Sequence, residues 1–248
     1  MKYTLYIFLI LLQFVSLLRT PCIYIGTGGN TGAYMVGVMG YIKKHFNIEK
    51  YKYTGSSAGS WITIMSKYEK NLTDFDTIWK DFINKDIKFK ASLCKYKYIP
   101  YIIKGNILTK YGNMKIKKDI GIYVSKIDDK KNMKKVLSYD YNNLEELLEL
   151  CHCSSYIPII SGKEMSIKYK NNNYIDAIFT LKNEKEDIIT NKKNTLIITK
   201  HIWNRSFTIK DYIYCDYNNY KKLYEYGWND TKQNHNKIVE MFPFMTKK

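Results

Sequence analysis

Residues 52–61, Lys52 to Trp61, read KYTGSSAGSW and place three serines and two glycines within the six positions 55–60. Apolar residues close in on both sides. Residues 50–54 (KYKYT) alternate as a strand does, and residues 60–68 (SWITIMSKY) continue as a helix. Only one register fits Gly-x-Ser-x-Gly: Gly55-Ser56-Ser57-Ala58-Gly59. Between a strand and a helix this pattern is a nucleophile elbow. The turn is so tight that a side chain two places either side of Ser57 would meet neighbouring backbone. Ser57 is then held in strain, with its hydroxyl over the sheet edge and beside the positive end of the next helix. A plain Gly/Ser loop is the competing reading, and what lies before the turn decides between them.

Residues 22–25 (CIYI) form a short apolar run of the buried-strand kind. The turn from Gly26 to Gly32 follows, then residues 33–46 (AYMVGVMGYIKKHF), apolar at helical spacing with Lys43, Lys44 and His45 near the end. Two strand–turn–helix units in succession imply an α/β layer with parallel strands. A dinucleotide fingerprint fails on the first turn, because its third glycine would fall on Thr31 and no acidic residue awaits a ribose. A phosphate-binding Gly-Lys-Ser/Thr is also missing. The reading left is an oxyanion hole, with the N–H groups of Gly28, Gly29 and Asn30 facing charge that develops on an ester carbonyl oxygen.

Further along, residues 71–85 read as an amphipathic helix, 120–127 as a strand and 143–150 (NLEELLEL) as a helix. Residues 173–176 read as a strand ending in Asp176, 194–199 as a strand and 217–229 as a final helix. Residues 86–118 give no clear pattern. No linker interrupts the chain, so one domain over 20–248 is expected after an N-terminal segment, 1–19.

Taken together, the glycine turn with its helix and residues 55–60 (GSSAGS) resemble the patatin-like phospholipase family. Residues 153–160 (CSSYIPII), 171–177 (NNNYIDA) and 220–231 (YKKLYEYGWNDT) extend the resemblance over most of the chain. It implies a three-layer α/β/α fold with a mostly parallel central sheet. It also implies a Ser–Asp dyad without histidine: Ser57 as nucleophile, Asp176 as general base, Gly28–Asn30 as oxyanion hole and Gly26, Gly32, Gly55 and Gly59 as motif glycines. The substrate class it implies is a phospholipid or acylglycerol ester, with no metal and no cofactor. Three departures stand against the pattern: Thr27 at the first oxyanion glycine, Thr31 at the usual basic residue, and Ala177-Ile178 after the aspartate. Ala177 does not readily take φ > 0, so a dyad needing that conformation would lose Asp176. The alternative is accordingly a weak or inactive relative that binds lipid. A Ser57–Asp176–His201 or His235 hydrolase is a further rival, although its fold places several strands before the elbow. Asp187, Asp211 and Asp216 compete as bases.

Bulk properties agree with a globular chain of 248 residues at formal charge +17. That field suits an anionic membrane surface. The lysines are dispersed, and no zinc-finger or RNA-recognition signature accompanies them, so no specific nucleic acid is expected. Five scattered cysteines make a poor disulfide framework, and Cys151-His-Cys153 lacks a second ligand pair for a metal. Residues 1–19 carry a basic start and an apolar run from Leu5 to Leu18, readable as a signal peptide, an uncleaved anchor or a buried segment. Membrane association, with a secretory route open, is the corresponding expectation. Asn71, Asn204 and Asn229 would accept sugar on that route.

Overall fold

The computed structural model describes residues 21–69, 71–83, 98–116, 118–181 and 194–242. The proposed N-terminal segment, Cys94 and Asp187 lie outside them. Among the described residues the fold is α/β, with seven strands in one mixed sheet and eight α-helices, consistent with a three-layer α/β/α arrangement.

The first two units form as their sequences dictate. Strand β1 is Cys22–Ile25 and leads through the glycine turn to helix α1, Gly32–His45. Strand β2 is Lys52–Ser56 and leads to helix α2, Ala58–Tyr68. Helix α3, Phe75–Ile78, opens on an Asp74 cap and passes into a π turn over Trp79–Ile83, where a single helix was expected. Helix α4 is Ile99–Tyr111, with Pro100 in its first turn. Strands β3, Ile120–Ile127, and β4, Met133–Ser138, make a hairpin. Helix α5, Leu144–Ser154, starts at an Asn143 cap. Strands β5, Ile167–Tyr169, and β6, Asn172–Ile175, are followed by a 3₁₀ turn over Ala177–Phe179. Strand β7, Thr195–Ile198, precedes helices α6, Ile209–Ile213, α7, Tyr217–Gln233, and α8, His235–Met241.

The sheet order is β5-β6-β3-β2-β1-β7, with β4 also pairing β3. Its centre, β3-β2-β1-β7, is parallel, and the β4 and β6 pairs with β3 and the β5–β6 pair are antiparallel. Side chains alternate across the strands. Ile23, Ile25, Ile122, Val124, Leu196 and Ile198 belong to the main core shared with the helices. Tyr24 and Tyr123 face the other way, onto Ala177 and Leu181. Helices α1 and α7 meet backbone to backbone: a Cβ on Gly227 would lie 1.9 Å from the carbonyl oxygen of Tyr34. Strand order reverses direction at β1, with β2 on one side and β7 on the other. Ligands of such sheets sit at the carboxyl ends of the strands flanking that switch. Here those ends carry the glycine turn and Ser57.

Candidate active site

Ser57 occupies the single residue between β2 and α2, at φ 51° and ψ −127°. A non-glycine residue there is strained, by about 1–2 kcal/mol. The surroundings over-determine it. Its N–H donates to Ser154 Oγ at 2.8 Å, and its carbonyl accepts from Ser60 N at 3.0 Å and Ser60 Oγ at 2.6 Å. Ser154 in turn donates to the Tyr123 carbonyl at 2.6 Å, tying the elbow to the neighbouring strand β3. The flanking glycines are steric necessities: a Cβ on Gly59 would stand 2.1 Å from the Ile25 carbonyl oxygen, and one on Gly55 2.6 Å from that of Gly59.

Asp176 reaches the same point from the end of β6. Ser57 Oγ donates to Asp176 Oδ2 at 2.7 Å, across 119 positions of chain. The other carboxylate oxygen, Oδ1, accepts from Ile178 N at 2.8 Å. The Asp176 backbone is clamped as well: its N–H donates to the Tyr156 carbonyl at 2.8 Å, and its carbonyl accepts from Ser125 Oγ at 2.8 Å. Both dyad side chains are buried. The feared effect of Ala177 does not arise. Ala177 is absent from the positive-φ residues, opens the 3₁₀ turn and is fully buried, so Asp176 keeps its contact with Ser57.

The glycine turn flanks the pair. Gly29, at φ 51°, starts a 3₁₀ turn over Gly29–Thr31. Opening a helical turn leaves the N–H groups of Gly29 and Asn30 without intrahelical acceptors. Both residues, with Gly32, line the cleft that also holds Ser57 and Asp176; Gly28 does not line it. Thr31, buried where the family pattern would place a basic residue, donates its hydroxyl to the Gly28 carbonyl at 2.6 Å and so braces the turn from within. The Asn30 side chain is locked from behind: Nδ2 donates to the Tyr212 carbonyl at 3.0 Å, and Oδ1 accepts from the Tyr220 hydroxyl at 2.7 Å.

The cleft holds about 1000 Å³ of empty space, part of it open to solvent, and its wall is mostly aliphatic. Trp61, Ile62 and Met65 come from α2, Ile99 and Ile103 from α4, and Ile157 and Ile160 from the loop after α5. An elongated apolar group fits such a wall, with its polar end at the dyad.

Other candidates are engaged elsewhere. Asp211 caps α6 through Thr208 and pairs with Lys222, and Asp216 caps α7. Neither His201 nor His235 lines the cleft; His235 Nδ1 meets the Tyr41 hydroxyl at 3.1 Å and stacks on Phe46. Cys22, Cys151, Cys153 and Cys215 are buried thiols outside any disulfide, and among the described residues no cluster of His, Cys, Asp or Glu could hold a metal ion. Burial pushes the Cys153 thiol up to about 12 and lowers His152 below its usual value. Among the described residues no helix is long and apolar enough to cross a membrane. Sequence reasoning did not single out Ser154, Ser60 or α4. The small-residue run 153–155 was a visible signal for the first, and Ile-Pro at 99–100 for the last.

No protein-family model and no curated protein matches the chain.

Proposed function

We propose that this chain is a serine acyl hydrolase of the patatin-like kind, cleaving carboxylic esters of phospholipids or acylglycerols. The observation that carries the reading is the 2.7 Å contact of Ser57 Oγ with Asp176 Oδ2 at the polar end of an apolar cleft. Ser57 Oγ attacks the ester carbonyl carbon as its proton passes to Asp176, and the carbonyl π electrons move onto oxygen. The Gly29 and Asn30 amides, with the positive end of α2, stabilise that oxyanion. The tetrahedral species collapses, the bond to the leaving alcohol breaks, and Asp176 returns its proton to that oxygen. Water, deprotonated by Asp176, then attacks the acyl-serine. The acid leaves and Ser57 regains its proton from Asp176.

No metal or cofactor enters this sequence of steps. The aliphatic wall favours a fatty acyl chain over a polar acyl group. The reading is tested with a fluorophosphonate probe and a mixed lipid-ester panel. Labelling and hydrolysis are expected in the wild type, labelling is lost in Ser57→Ala, and turnover falls by roughly two to four orders of magnitude in Asp176→Asn. Labelling that survives Ser57→Ala removes the proposal.

A further inference from the structure

The segments that follow Tyr156 and Asp176, joined by Asp176 N to the Tyr156 carbonyl at 2.8 Å, carry exposed apolar side chains beside the cleft. Directly after Asp176, Ile178 and Phe179 stand exposed. Beside them, the turn over residues 157–162 is closed by Ser161 N to the Ile157 carbonyl at 2.8 Å and Ile159 N to the Gly162 carbonyl at 2.9 Å. Ile157 and Ile160 line the cleft, while Ile159 at the apex is 84% exposed. Ile159 also sits at φ 72°, a region in which a β-branched residue is an outlier. Tyr98 and Tyr101, exposed at the start of α4, adjoin the cleft residues Ile99, Pro100 and Ile103.

A cationic element rises beside this collar. Strand β3 runs parallel to β2, and Ser56 pairs with Tyr123, so β3 continues to Ile127 past the level of the elbow. Ser125 holds both the Asp176 carbonyl and the Thr180 hydroxyl, which fixes the β3–β4 hairpin next to the mouth. Residues 126–135 of that hairpin contain five lysines against two aspartates. Lys126 and Lys134 face each other across the strands, with the Asp128 carboxylate within electrostatic reach of Lys134, and the five lysines of the hairpin still outnumber its two aspartates. Lys130, Lys131 and Lys134 are exposed.

We infer that this edge of the molecule docks on an anionic phospholipid bilayer, with Ile159, Ile178 and Phe179 entering the interface and the β3–β4 lysines resting on headgroups. Exposed apolar side chains, tyrosines at their border and a flanking cationic strand pair are the composition such an interface selects. Ile157 and Ile160 of the same turn line the cleft, so an acyl chain entering beside the docked turn would reach the dyad along that apolar wall. That last point rests on the acyl-hydrolase reading; the docking itself does not.

The test uses the full chain and flotation with vesicles of phosphatidylcholine, with and without phosphatidylserine. Wild type is expected to bind the anionic vesicles, less so as salt rises. Ile159→Asp is expected to weaken binding on the order of tenfold. Lys130→Ala/Lys131→Ala/Lys134→Ala is expected to lose on the order of a hundredfold on anionic vesicles and little on neutral ones. Asp tolerates positive φ better than Ile, so Ile159→Asp should melt no lower than wild type, which separates lost docking from lost folding. Vesicle binding unchanged in both variants, or absent in the wild type, overturns the inference. Turnover of a short, soluble ester reads the other proposal separately: it should persist in Ile159→Asp. Its absence from a wild type that still binds vesicles counts against the hydrolase alone.

Discussion

Two residues in this protein hold a non-glycine side chain at positive φ beside the same cleft, and they do so in opposite settings. Ser57 is buried at the elbow, pinned by Ser154 and Ser60 and boxed in by Gly55 and Gly59. Ile159 is at the apex of a solvent-facing turn, held by two backbone hydrogen bonds and by Ile157 N to Ser161 Oγ at 3.0 Å, with its own side chain exposed. Strain at the first is enforced by packing on every side. Strain at the second is enforced by little, so a substitution that relieves it meets no structural resistance. The contrast separates geometry that the fold needs from geometry that only a surface encounter would use.

The comparison breaks most violently at Gly59. Gly59→Ala would force a Cβ to 2.1 Å from the Ile25 carbonyl oxygen and 2.4 Å from that of Gly26. We expect a loss of roughly 4 kcal/mol or more, read as failure to accumulate folded protein or a collapse of the denaturation midpoint. A midpoint near wild type would mean the elbow is less tightly packed than described. Next comes Ser154→Ala, which strips both the acceptor for Ser57 N–H and the donor to the Tyr123 carbonyl. Leaving those groups buried and unpaired costs about 1–3 kcal/mol. Because the lost bond orients the proposed nucleophile, the proposal expects kcat to drop with KM little changed, whereas equal movement of both would point to a general loosening.

At Ile159 the sign reverses. Ile159→Gly should raise stability by about 1 kcal/mol, since the strained φ is then free. A lower melting temperature would contradict the description of the turn as strained. The smallest effect concerns acid. Glu69 is partly desolvated, which raises its pKa, but Lys110, Tyr111 and the Asn71 N–H bind its carboxylate and carry it below its usual value of 4.5. Its folded value is the depressed one, so its stabilisation is complete above pH 4.5 and disappears as pH falls through the lower folded value. Denaturation midpoints of wild type should therefore fall more steeply below pH 4.5 than those of Glu69→Gln, and parallel curves would refute the assignment.

How much of this was legible beforehand follows the strength of local signals. Strand β1, helix α1 and strand β3 fall where periodicity places them, because each is a buried run with clear punctuation. Strand β2 lies two residues later than expected, at Lys52–Ser56 instead of 50–54, since Gly55 reads as turn although the elbow needs it inside the strand. Strand β4 was not foreseen: its sequence MKKVLS sits at an edge of the sheet, half exposed, so no apolar alternation marks it. Helix α4 was hidden by a lysine- and tyrosine-rich context that blurs the 3.6-residue period, although it supplies one wall of the cleft. Residues 143–150 read as a helix, but its last turn, which carries Ser154 to the elbow, depends on packing rather than on pattern. The contact of Ser57 with Asp176 joins distant parts of the chain; only the resemblance, not spacing, pointed to it.

The pairing of β1 has a consequence for how the chain is made. Cys22 stands in register with Thr195, about 170 residues later, so the central strand lacks one neighbour until most of the polypeptide has left the ribosome. Until then β1 presents an open, apolar flank of the kind that recruits other chains. Topology of this sort slows folding and lengthens exposure to aggregation. Production of the protein should therefore be limited by escape from early self-association more than by the stability finally reached.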